Sequence, residues 1–163
     1  MYIPRPEHPN PQFQRENWIN LNGEWDFELD RGISGIDRKF YEREHLDSKI
    51  TVPFCPESKL SGIGLTDYLN CVWYLKRVYI ENCDKRVILH FGAVDYESYI
   101  YINHKEVFHN IGGYVGFEID ITDYVEFGKE NVYNYSIGNP SLPPPQSVYD
   151  AILSILKEPD QVA

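Results

Sequence analysis

Apolar and polar positions alternate along most of this chain. In EWDFELD at 24–30 every odd position is apolar and every even one acidic, the pattern of a strand with one buried face. Asn22-Gly23 supplies the turn before it. Residues 49–54 predict a short strand ended by Pro53 and Pro56. Residues 72–80 form an aromatic run, 86–91 are apolar, and 97–102 alternate as Tyr/Ile pairs. Asn103-His104 makes a tight turn into 106–109, a hairpin. After Gly112-Gly113, residues 115–121 place Phe117, Ile119 and Ile121 on one face, and 131–137 alternate Tyr133, Tyr135 and Ile137. The intervening 31–48 read as irregular, with a short helical piece near 37–45, and 57–68 as a Gly-bearing loop. Short strands at regular spacing, without a βαβ rhythm, predict an all-β jelly-roll sandwich.

The two ends differ from the middle. Residues 1–17, rich in Pro, Asn and Gln, predict an extended arm, and 18–139 the sandwich. Residues 140–163 predict a Pro-rich spacer and one short helix. There Ser147 and Asp150 resemble a helix start, Val148, Ile152, Ile155 and Leu156 follow at helical spacing, and Pro159 stops the run.

Composition narrows the partners. With 25 Asp+Glu against 15 Lys+Arg, the net charge of −10 argues against nucleic acid and anionic membrane surfaces. A TIM barrel needs roughly 250 residues, more than the 163 here. The three cysteines, Cys55, Cys71 and Cys83, are odd in number and lack CxxC spacing, so they predict reduced thiols and no metal site. The first residues lack the basic and apolar regions of a signal peptide, and no apolar run approaches the ~20 residues that span a bilayer. The expected location is the cytoplasm, or the periplasm or exterior if the natural chain carries a leader.

Aromatic residues at 15% suit carbohydrate, whose C–H faces stack on rings while its hydroxyls meet Asn, Asp and Glu. The polar loop 58–70 supplies Asp67, Tyr68 and Asn70 beside Trp73, and these four are the ligand-binding candidates. The plainer reading makes Trp73 a core strand residue and Asn70 a turn residue. No carboxylate pair is marked for glycoside hydrolysis. Glu24, Asp26, Glu28 and Asp30 read as a solvated strand face, and Asp95 as a structural turn residue. GxSxG, P-loop and GxGxxG motifs are absent, so no catalytic residue and no cofactor are assigned.

Six strings then occur in a recognisable order. NLNGEWDF at 20–27 resembles the "LNGxWxF" opening of family 2 glycoside hydrolases, the β-galactosidase, β-glucuronidase and β-mannosidase group. VPFCPES at 52–58 is similar to their "VPxxxxS" segment, and VWYLKR at 72–77 to "xWYRR". HFGAVDYE at 90–97, NHKEV at 103–107 and GGYVGFEIDIT at 112–122 are similar to "F.GVDYxA", "NGKEV" and "GGYTPFEFDIT". The resemblance covers about residues 13–132. It implies the family's N-terminal sugar-binding domain, a galactose-binding-like jelly roll that precedes an immunoglobulin-like sandwich and the barrel holding both catalytic glutamates. It also places Asn70 near a position where related β-galactosidases present an asparagine to the sugar. Two departures stand out. His104 replaces the usual hairpin Gly, predicting strain at a positive φ, and residues 140–163 match nothing in the family.

The expected function is therefore a non-catalytic sugar-binding or structural module of a family 2 β-glycosidase. The family's activity is hydrolysis of O-glycosyl bonds, and the barrel that performs it is not within these residues. The alternatives are a stand-alone lectin-like binder, or a structural domain that docks a partner. Expected partners are carbohydrate, the remaining glycosidase domains, or a second copy of the chain.

Overall fold

The computed structural model describes residues 3–8, 12, 14 and 17–138, together with the backbone of 153–158. Among these residues ten strands form two antiparallel sheets: β1 (Trp18–Asn20), β2 (Gly23–Leu29), β3 (Ser48–Val52), β4 (Cys71–Ile80), β5 (Arg86–Phe91), β6 (Glu97–Ile102), β7 (Lys105–Ile111), β8 (Phe117–Asp120), β9 (Lys129–Gly138) and β10 (Leu153–Glu158). The larger sheet runs β3-β2-β4-β9-β6-β7 and the smaller β1-β10-β5-β8. This is the predicted jelly-roll sandwich. Strands β4 and β9 pair along ten residues each and form the spine of the larger sheet.

Period-two patterning places the main core between the sheets. Trp25 and Phe27 of β2, Val72 and Tyr74 of β4, Leu89 and Phe91 of β5, and Tyr133, Tyr135 and Ile137 of β9 meet there. Tyr135 organises it: its ring stacks on Tyr74 at 4.6 Å and takes Trp25 and Phe91 edge-on at 5.4 and 5.7 Å. Such offset and edge contacts add to the burial of area itself.

The outer face of the larger sheet is also covered. Residues 31–47 fold back across it, and Phe40, Leu46, Cys71, Trp73, Leu75 and Tyr101 form a second apolar layer. Phe40 meets Trp73 at 5.7 Å, and the Arg43 guanidinium lies 3.7 Å from the Phe40 ring centre. The expected short helical piece is a 3-10 turn at Phe40–Glu42.

This layer corrects the reading of the acidic residues of β2 as a solvated face. Glu24 is exposed, but Asp26 and Asp30 are 8% and 3% exposed. Each buried carboxylate has partners, as burial of charge requires. Asp26 accepts from the Leu46 amide at 3.2 Å and from Lys49, and Glu28 pairs with Arg43 at 2.7 Å.

The expected C-terminal helix is a second correction. Residues 153–158 are a strand inserted between β1 and β5, with Ile155 in register with Ile19 on one side and Leu89 on the other. The rest of that expected helix, and the Pro-rich spacer, lie outside the described residues. Within the expected N-terminal arm, residues 3–8, 12, 14 and 17 are described, and the carbonyls of Pro4 and Arg5 accept from the Asn22 side-chain amide.

At the β6–β7 hairpin, Asn103 and His104 have φ of 48° and 68°. The left-handed conformation expected at His104 is present, and its Nδ1 lies 2.8 Å from the Tyr41 carbonyl. Asn103 is more heavily tied, donating to the Tyr124 carbonyl and Asn131 Oδ1 at 2.9 and 2.8 Å while accepting from the Val132 amide at 2.9 Å. Asn is among the residues that tolerate this backbone region.

Candidate functional site

At one end of the larger sheet, the end of β2, the start of β4, the start of β6 and the end of β9 converge. Register brings their outward residues side by side: Cys71 and Glu97 both oppose Gly138, and Trp73 and Tyr99 both oppose Ser136. The loop after β2 arches over this end. Together they enclose a cleft of about 130 Å³, lined by Asp30, Ile33, Gly35, Ile36, Cys71, Trp73, Glu97, Tyr99, Ser136 and Gly138.

Asp30 holds the loop in place. Its carboxylate accepts from the amides of Ser34 and Gly35 at 3.0 and 2.6 Å and from the Trp73 indole at 3.3 Å. Gly35 is required there, since a Cβ would come within 2.2 Å of Trp73 Nε1. On the opposite wall, Glu97 Oε1 accepts from the Tyr99 hydroxyl at 3.2 Å and lies 2.8 Å from His109 Nε2. The His109 ring stacks on Tyr99 at 4.2 Å and fixes that wall. At the floor, burial, and then the Asp30 and Glu97 charges, push the Cys71 thiol up to about 12. A thiol so far above neutrality is protonated and inert.

The four sequence candidates divide into two places. Trp73 is 1% exposed, forms part of the cleft wall and spends its N–H on Asp30. Asp67 and Tyr68 are exposed on the preceding loop, Asp67 lying 3.9 Å from Arg31. Asn70 is half-buried at the lip; its carbonyl lies 3.4 Å from where a Cβ on Gly138 would sit. The sequence reading missed Asp30, Glu97, Tyr99 and Ser136, because the register between β6, β9 and β4 is not a local property. The one available signal is that positions 97, 99 and 101 of β6 are polar or amphipathic opposite the inward Ile100 and Ile102.

Among the described residues no group of three His, Cys, Asp or Glu could hold a metal ion, and no helix is long and apolar enough to cross a membrane.

The pattern of the "Glycosyl hydrolases family 2, sugar binding domain" matches residues 19–138. The chain belongs to this family. Its match extends from within β1 to the end of β9, so the larger sheet and the cleft fall within it, as does the smaller sheet apart from β10. Family 2 relatives include the β-glucuronidase of Rattus norvegicus, 26% identical over 129 residues, covering 72% of this chain and 20% of the relative. The Bacteroides fragilis β-glucuronidase is 30% identical over 121 residues, covering 72% of this chain and 16% of that protein. Among solved structures, a β-glucuronidase from an uncultured Clostridium sp. superposes with a TM-score of 0.75 at 26% identity, covering 90% of this chain and 30% of the other. The Lactobacillus rhamnosus β-glucuronidase shares the fold, with a TM-score of 0.74 at 21% identity over 88% of this chain and 29% of that chain. The family 2 domain described here thus spans about a fifth of the length of the curated relatives it matches.

Proposed function

We propose that this chain acts as the non-catalytic N-terminal module of a β-glucuronidase-like glycosidase, supporting and shaping a glycoside site whose acid and nucleophile lie in other domains. The observation that carries this reading is the extent of the family match. It takes in the strands from β1 to β9, with β10 lying beyond it, while the relatives that share it are several times longer. Within the module, Asn70 at the lip of the cleft and Asp67 and Tyr68 on the exposed loop before it would meet a sugar, with Trp73 buried behind them as a wall. The natural partners are then the remaining glycosidase domains and their carbohydrate substrate.

The test is an assay of the purified chain on 4-nitrophenyl β-glucuronide and β-galactoside. Neither should be hydrolysed above the buffer rate. Saturable turnover that survives repurification would overturn the non-catalytic assignment.

A further inference from the structure

We infer that the corner of the sandwich built by residues 92–96 and 112–116 docks the remaining glycosidase domains, through a surface of theirs that presents one Lys or Arg among apolar side chains. This rests on the module role proposed above and adds the chemistry of the face involved. The matched segment makes up 20% of the rat relative, so most of such an enzyme lies outside this module and must meet it somewhere.

The two segments hold each other in place. The Gly112 amide donates to the Tyr96 carbonyl at 2.8 Å, and the Asn110 side chain donates to the Gly112 carbonyl at 3.1 Å. A Cβ on Gly113 would collide with the Asp95 carboxylate, and one on Gly116 would come within 2.9 Å of the Phe91 carbonyl oxygen, so glycine permits this approach. A loop so tied nevertheless turns its apolar side chains to solvent: Tyr114 is 87% exposed, Val115 78%, Ile111 61% and Tyr96 38%. Clustered exposed apolar groups mark interaction surfaces, and tyrosine is a favoured anchor in them.

Asp95 supplies the selectivity. It is 7% exposed, yet among the described residues no backbone amide, side-chain donor or cation meets its carboxylate. Burial raises its carboxyl above the ordinary range, with no counter-charge to oppose it. Its acidic neighbours are matched, Glu97 by His109 and Glu118 by His90. Residues 87–104 and 106–128, which supply the corner and its strands, contain no Lys or Arg. A buried carboxylate without a donor is destabilising. A partner's ammonium or guanidinium at this corner removes that penalty, while its apolar neighbours cover Tyr114 and Val115. An acidic partner surface would add like charge instead.

The test is an amide NMR titration of the 163-residue chain with the peptides acetyl-Leu-Arg-Leu-amide and acetyl-Leu-Glu-Leu-amide at equal millimolar concentrations. The Arg peptide should shift the amides of Tyr96, Gly113, Tyr114 and Val115, and the Glu peptide should leave them in place. Asp95→Asn should weaken the Arg peptide about tenfold, the scale of one charge-assisted hydrogen bond. It should also raise the urea midpoint at pH 7, because it removes the unpaired charge. Tyr114→Ser, at an exposed side chain, should leave that midpoint unchanged and abolish the shifts. Equal shifts by both peptides, shifts that map elsewhere, no response to the Arg peptide, or a lower midpoint for Asp95→Asn would each overturn the assignment. The hydrolysis assay of the non-catalytic role is independent of these results, so the two proposals fail separately.

Discussion

Asp30 is the residue on which the outer side of the sandwich depends. It ends the alternating run of β2, is 3% exposed, and gathers two loop amides and an indole N–H on one carboxylate. Its sequence context, four acids spaced by apolar residues, is that of a solvated face. What separates it from exposed Glu24 is the loop that returns over it. Asp30→Asn keeps the shape but places an NH2 against donors, so urea unfolding should show a loss of about 1–3 kcal/mol. Lys76 is a second residue whose behaviour is set by surroundings. It lies 5.3 Å from the Trp25 ring centre and donates to the Glu24 carbonyl at 2.9 Å. Burial lowers its ammonium to about 8, with the Glu24 charge opposing and Lys49 assisting. The folded pKa lies below the unfolded one of roughly 10.4. The unfolded chain therefore binds more protons between these values, and this residue's contribution to stability rises with pH across that window. The stability difference between the native chain and Lys76→Met, followed by urea unfolding from pH 7.5 to 9.5, should grow in favour of the native chain. A difference that is flat or falls would refute it.

At the scale of elements, β2 to β9 are readable because each carries its own alternation or a short apolar or aromatic run. Strands β1 and β10 are not. Three residues, Trp18 to Asn20, are too few to show a period, and residues 153–158 sit within a spacing that fits a helix equally well. The outcome there is decided by partners: β10 fills the slot between β1 and β5, and without it both would present unpaired edges. Proline cannot donate to a ladder. Ile155→Pro, whose position is paired on both sides, should therefore cost at least about 2 kcal/mol by urea unfolding, on the scale of lost and unmade hydrogen bonds. An unchanged midpoint would argue that β10 is not integral to the sheet. The β6–β7 hairpin is the opposite case. Its Asn-His turn is visible locally, and the structure adds only the bonds from Asn103 and His104 that hold the positive φ values.

At the scale of the molecule, the sandwich is graded in stability from its spine outward. Strands β4 and β9 are paired on both edges and packed on both faces, whereas β7 and β3 are edges of the same sheet. Hydrogen exchange should accordingly be slowest for β4 and β9 and faster in β7, and uniform protection across the sheet would contradict this gradient. Sequence alone establishes the fold class, eight of the strands, the inward faces, the family motifs and the acidic balance, because each is written in local alternation or in short strings. Tertiary structure decides the rest. It buries Asp26 and Asp30, turns residues 153–158 into a central strand, and draws Glu97, Tyr99 and Ser136 to the cleft beside Trp73. All of these depend on which distant segments become neighbours. Alternation tells which side of a strand is apolar, but only the return of residues 31–47 over the larger sheet determines that its other side is also covered.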